Sequence, residues 1–214
     1  MSTEDLDALH AALRARYEGW LEEHGPASSR SVGWLDPAMQ RLRFELLAQV
    51  LERDAPVTVA DLGCGTGALF EHLANRAEPP PLAAYTGYEL VPALVEAARA
   101  AHPDPRARFE PGSEVREDVD YVFASGAFTL RPGYDDAAWE EHVRAAVAGL
   151  WERSRRGLAF NLLARRERPV EPTVYAGDPV AWARWCSSAL PGARVALRQG
   201  PPLLDFTLLV RRAG

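Results

Sequence analysis

The sequence predicts an α/β fold: a mostly parallel seven-stranded sheet, helices on both faces, and a helical extension at the N-terminus. Three observations predict it. Short apolar, β-branched runs alternate with segments of helical period from Val57 onward, the pattern of a parallel sheet whose crossovers are helices. One unit is explicit, because Val57-Thr-Val-Ala-Asp-Leu-Gly-Cys-Gly-Thr-Gly67 runs directly into the helical pattern Ala68-Leu69-Phe70-Glu71-His72-Leu73. Two amphipathic helices precede that first strand and are not needed to form it.

Taken in order, Leu6, Leu9, Leu13, Tyr17, Trp20 and Leu21 recur at helical spacing and make one apolar stripe over residues 3–23. His24-Gly25-Pro26 ends that helix. A small, polar stretch follows, closed by Gly33-Trp34. Asp36 then caps, and Pro37 opens, a second helix to about Arg53, with Met39, Leu42, Leu46, Val50 and Leu51 inward. The proline-rich connection 75–81 leads to a second strand, Leu82–Tyr88, which ends in Glu89. Pro92 begins a helix through about Ala101, and Arg106–Glu110 is a third strand with Pro111-Gly112-Ser113 as its loop. Val119–Ala124 is a fourth strand, and Trp139, Val143, Val147, Leu150 and Trp151 mark a helix after Asp135-Asp136. Leu158–Leu163 is a buried strand interrupted by Asn161, followed by a polar loop over 164–177 and a helix over Pro179–Leu190. Arg194–Arg198 and Phe206–Val210 pair as a closing, hairpin-like edge. Residues 1–55 are then a helical extension, with the role of a lid, and 56–214 a nucleotide-binding core, one compact domain overall.

The strand–turn–helix at residues 57–73 is the first unit of a Rossmann-type nucleotide site. Gly63, Gly65 and Gly67 allow a tight turn and a close ligand approach to bare backbone amides. Gly63, Gly65 and Ala68 also satisfy a dinucleotide pattern, so the turn alone admits an NAD(P)-dependent oxidoreductase. Asp61 weighs against that reading. A carboxylate at the strand tip repels a pyrophosphate and suits a cationic ligand such as S-adenosylmethionine, with its sulfonium and α-ammonium. Glu89 stands 22 residues beyond Gly67. From there an acid at the tip of the second strand accepts hydrogen bonds from ribose hydroxyls.

At 214 residues, 47% hydrophobic and 25% charged, the chain suits one α/β domain with a full core. A net charge of −6 argues against broad attraction to nucleic acid or anionic membrane. The basic runs Arg153-Ser-Arg-Arg156 and Arg165-Arg-Glu-Arg168 read as solvated surface. Cys64 and Cys186 make no disulfide framework, and Cys64 reads as packing inside the turn. The five histidines show no metal-ligand spacing. The acidic N-terminus (Glu4, Asp5, Asp7) lacks a signal-peptide pattern, and no apolar run approaches the roughly 18 residues of a membrane span. The expectation is a cytoplasmic monomer or homodimer without metal, nucleic acid or membrane partner.

DLGCGTG followed by YTGYEL resembles the class I S-adenosylmethionine-dependent methyltransferases. GW at 33–34, LRFELL at 42–47, YTGYELVPALVEAA at 85–98, FASGAF at 123–128 and GLAFNLL at 157–163 are similar to a bacterial branch of small-molecule-type members. The resemblance implies S-adenosylmethionine as cofactor. Asp61, Gly63, Cys64, Gly65 and Gly67 would hold its methionine moiety, and Glu89 with Leu90 its ribose. Two departures stand out. The usual adenine-binding acid directly follows the glycine of the strand-three loop, whereas here Ser113 does and Glu114 comes one place later. Phe128 is followed by Thr129 where the family commonly has Phe-Asn.

Ligands of open α/β sheets bind beyond the carboxyl ends of the strands, which adds Ser113, Glu114, Ser125, Gly126 and Asn161 as candidates. Arg43 is placed either at the donor carboxylate or in a salt bridge. Methyl transfer from a sulfonium draws chiefly on proximity and needs a base only when the acceptor holds its proton tightly. His24, at the hinge of the extension, is the candidate base, with an exposed helix-terminal histidine as the plainer alternative. Asn161, inside an apolar strand, needs a partner that is either backbone or ligand. Tyr17, Trp34, Phe128 and Tyr175 are candidate walls of an acceptor pocket, or else core aromatics. Three readings follow: a methyltransferase with a small-molecule acceptor, a donor-binding protein without transfer, and an NAD(P)-dependent oxidoreductase.

Overall fold

The computed structural model describes residues 3–52, 55–78, 80–167 and 170–213. Its sheet contains β1 (Val57–Leu62), β2 (Leu82–Glu89), β3 (Ala107–Pro111), β4 (Val119–Ala124), β5 (Ser154–Ala164), β6 (Ala176–Gly177), β7 (Ala193–Gln199) and β8 (Asp205–Arg212). The main path runs β3-β2-β1-β4-β5-β8-β7 and holds the seven expected strands. The two-residue β6 pairs with the end of β5 beside that path, where only a loop was expected. Strands β1 to β5 are parallel, while β8 runs antiparallel between β5 and β7. Strand order reverses between β1 and β4, so the crevice beyond their carboxyl ends is where such a fold binds ligands.

Alternation along β1 builds two cores. Val57 and Val59 face one cluster with Phe44, Leu47, Phe70 and Val95, whereas Ala60 and Leu62 face another with Trp139, Val143, Trp151 and Trp182. The first cluster is closed by α2 (Pro37–Ala48), α3 (Ala68–Ala74) and α4 (Pro92–Ala101). The second is closed by α5 (Asp136–Arg153) and α6 (Pro179–Ala189). Three of these helices start on aspartate caps: Asp36 accepts from Ala38 N, Asp135 from Ala138 N, and Asp178 from Val180 N and Ala181 N. Each such cap contributes about 1 kcal/mol and fixes where the chain turns inward. Helix α2 stops at Ala48, short of the expected boundary, and Arg53 lies outside the described residues.

The extension begins with α1 (Thr3–His24) and a 3₁₀ turn, Ser29–Val32. Among the described side chains of α1 only Leu9 is buried, with Leu6 and Leu13 packed partly against the α5 side of the core. Arg14 Nε donates to Leu90 O at 3.2 Å and Tyr134 Oη to Asp5 O at 2.8 Å. The helix therefore lies from the start of α5 to the end of β2, across the carboxyl edge of the sheet. The basic run at the start of β5 is neutralised, since Arg153, Arg155 and Arg156 pair with Asp118, Asp120 and Glu52. Arg168 of the other run lies outside the described residues. No helix among those residues is long and apolar enough to cross a membrane.

Candidate active site

Beyond the carboxyl ends of β1, β2 and β4 lies a cavity of about 550 Å³. That volume falls within the roughly 300–1,000 Å³ of small-ligand sites. The glycine turn forms its floor. Gly65 sits at φ +56°, and a Cβ there would stand 2.7 Å from Val32 of the 3₁₀ turn, so the position needs glycine on both counts. Gly126, after β4, repeats the arrangement at φ +72°, with a Cβ 2.6 Å from the Trp34 ring. The extension is thus pressed onto the two loops that end β1 and β4.

Two acids face this space. Asp61 and Glu89 are almost fully buried and both line the cavity. Asp61 Oδ2 accepts the Tyr85 hydroxyl at 2.6 Å, while its Oδ1 is buried with no hydrogen-bond partner. Burial pushes the Asp61 carboxyl up to about 7, against the hydrogen bond from Tyr85 and together with the charge of Glu89. Glu89 accepts Gly65 N–H at 2.9 Å and Val91 N–H at 3.0 Å, which ties the second strand to the turn of the first. Its carboxyl is also raised by burial, with those amides pulling the other way. Cys64 lines the cavity, and its thiol is pushed well up by burial, which makes it packing rather than a nucleophile.

Leu90, Ser113, Glu114, Ser125 and Gly126 line the same cavity. Ser125 Oγ is a second buried atom without a partner. Tyr17, Trp34 and Phe128 line it too, joined by Val32, Gln40, Phe44 and Thr66, and, beside α5, by His10, Trp139 and His142. None of that second group was a candidate site residue in the sequence. The stripe of α1 shows which residues share a face, not that Leu6, His10 and Leu13 roof a cavity with it.

Five candidates do not line the cavity. His24 ends α1 beside Glu23, 3.8 Å away, so nothing places it as a base. Arg43 pairs with Asp205 and stacks at 4.3 Å on the Trp34 ring, taking the salt-bridge alternative. Tyr175 is fully buried, donating to Glu140 at 2.7 Å and accepting from Trp182 Nε1 at 3.0 Å, which makes it core. Gly67 caps α3 and packs against His102. Asn161 Oδ1 accepts Gly126 N–H at 2.8 Å from behind the β4 loop, while its Nδ2 is buried without a partner.

The chain matches the methyltransferase domain family over residues 60–146. It is 35% identical over 162 residues to a Mycobacterium tuberculosis protein provisionally named a methyltransferase, covering 74% of this chain and 95% of that one. Among solved structures it is similar to magnesium protoporphyrin IX methyltransferase of Synechocystis PCC 6803, solved with bound S-adenosylhomocysteine. The TM-score is 0.67 at 12% identity, over 95% of this chain and 99% of that one. A DhpI–S-adenosylhomocysteine complex gives 0.61 at 18% identity, over 100% and 99% of the two chains. At such identities the shared feature is the fold. The chain belongs to the class I S-adenosylmethionine-dependent methyltransferases, and S-adenosylmethionine is its cofactor. The residues present fit that group: a buried carboxylate oxygen and a buried hydroxyl lack partners at a glycine-floored cavity lined by two acids.

Proposed function

We propose that the protein transfers the methyl group of S-adenosylmethionine to a small-molecule acceptor bound in the same cavity. The observation that carries this reading is one cavity lined by two kinds of group. Asp61, Glu89 and the glycine turn are polar and acidic, and Val32, Trp34, Phe44 and Phe128 apolar and aromatic, with α1 as roof. When bound, the cofactor supplies an activated methyl group on a sulfonium. Asp61 and Glu89 would balance its positive charge and hold its ribose, Ser113 and Glu114 would meet its adenine, and Ser125 with Gly126 would border the transfer end. Asn161 is a positioning residue, holding Gly126 N–H so that the β4 loop keeps its place beside Trp34. Arg43 fixes the other side of Trp34. The remaining contribution is proximity of donor and acceptor in one cavity, worth effective molarities on the order of 10⁵ M or more. Where the acceptor holds a proton, His10 and His142 offer imidazoles that burial keeps toward the neutral form.

Residues 1–55 act as the extension that closes the site. Its first helix roofs the cavity while burying a single described leucine, which suits an element that opens for ligands. Incubation with isotopically labelled methyl donor and a metabolite extract tests the function. Donor-dependent label in a small product is the expected result. Donor binding without any labelled product would favour the binding-protein reading, and preference for NAD over S-adenosylhomocysteine would favour the oxidoreductase.

A further inference from the structure

Two buried acids line the cavity at the glycine turn, and among the described residues the guanidinium that lines it is that of Arg153. Asp61 is 2% exposed and Glu89 7% exposed. Both oxygens of Glu89 are engaged by the amides of Gly65 and Val91, whereas Asp61 keeps one oxygen without a partner. The nearby guanidinium groups are committed, Arg14 donating through Nε to Leu90 O beside Glu89. Arg43 pairs with Asp205 under Trp34, and Arg153, which lines the α5 end of the cavity, pairs with Asp118. The ionisable groups facing Asp61 are Tyr85 and Glu89 from β2 and Cys64 from the turn, while Tyr17 of α1 faces Glu89. On β4, Phe123 stands opposite Asp61 and offers none. Burial among an acid, a thiol and phenols favours the neutral carboxyl, and arriving positive charge favours the ionised one.

We propose that Asp61 is a charge-exchange group that gives up its proton to solvent as the cationic donor takes the proton's place, so that loading of S-adenosylmethionine releases a proton. The inference rests on the donor assignment above. Burial, opposed by the Tyr85 hydrogen bond and aided by Glu89, places the exchange at about 7. The sign follows directly. Above that pH Asp61 is already ionised and donor affinity is level. Below it the proton must leave first, and affinity falls about tenfold per pH unit. Between about pH 5.5 and 7 the donor's own α-ammonium stays mostly charged, since such groups titrate near 7.7–8.0.

Calorimetry of S-adenosylmethionine binding at about pH 6, in buffers of different ionisation enthalpy, reads the released proton. Close to one proton per site is expected, with affinity rising about tenfold from pH 5.5 to 6.5. Methylthioadenosine, the same nucleoside without either charge, should bind with no proton release and no pH dependence. Asp61→Asn should abolish the release for the full donor, which also separates Asp61 from His10 and His142 in the same cavity. Should that variant fail to fold, Tyr85→Phe removes the hydrogen bond that favours the ionised form and should move the midpoint upward. Level affinity with no released proton, release matched by methylthioadenosine, release unaltered in Asp61→Asn, or a midpoint unmoved in Tyr85→Phe would overturn the proposal. Absence of any S-adenosylmethionine binding would overturn the donor assignment with it.

Discussion

Glu89 shows how one side chain serves fold and ligand together. Its carboxylate holds the amides of Gly65 and Val91, closing the end of β2 onto the turn after β1. Glu89→Ala therefore removes a prospective ribose partner and also strands two buried N–H groups. The expected loss of donor affinity is about 1–3 kcal/mol, the cost of leaving buried polar partners unmade. Glu89→Gln retains one acceptor oxygen and should lower the melting temperature less while still weakening the donor. Calorimetry and thermal melting on both variants check this, and unchanged donor affinity in Glu89→Ala would remove the ribose assignment. The acid was legible from its spacing after the glycine turn. Its two amide partners were not, because they depend on how a loop closes and not on any local pattern.

At the scale of elements, strand β4 and helix α4 fall where their residues predict, because Val119–Ala124 is a bounded apolar run and Pro92 sets a helix start. Strand β5 extends beyond its apolar part on both sides, since pairing with β4 carries Ser154 into the ladder across a register shift. Long-range pairing of that kind has no signal in a local window. For Arg43 and Tyr175 the sequence left two alternatives open for a related reason: their partners, Asp205 and Glu140, lie far away in the chain. The first helix is the element whose role is open to the clearest test. Removing it forfeits one buried leucine, roughly 1.5–3 kcal/mol, and the partial packing of Leu6 and Leu13, against a typical domain stability of about 5–15 kcal/mol. Deletion of residues 1–28 should leave cooperative unfolding and donor affinity within about 1 kcal/mol, while methyl transfer falls severely. Loss of cooperative melting would make α1 core and end its role as a lid.

The whole molecule presents an acidic surface to any acceptor, with a net charge of −6. Its most basic stretch, Arg153 to Arg156, is held by Asp118, Asp120 and Glu52, which leaves no unpaired basic track across that face. The roof over the cavity begins with Glu4, Asp5 and Asp7. A polyanion approaching the transfer end would meet those acids and then Asp61 and Glu89 inside. Nucleic-acid recognition draws most of its affinity from phosphate neutralisation and loses it steeply with salt. Titration with transfer RNA and duplex DNA from about 50 to 200 mM salt should therefore show weak binding throughout, while the labelled small-molecule product forms at a rate nearly independent of salt over the same range. Tight binding that drops by about 10³-fold or more across that interval would reassign the acceptor to nucleic acid.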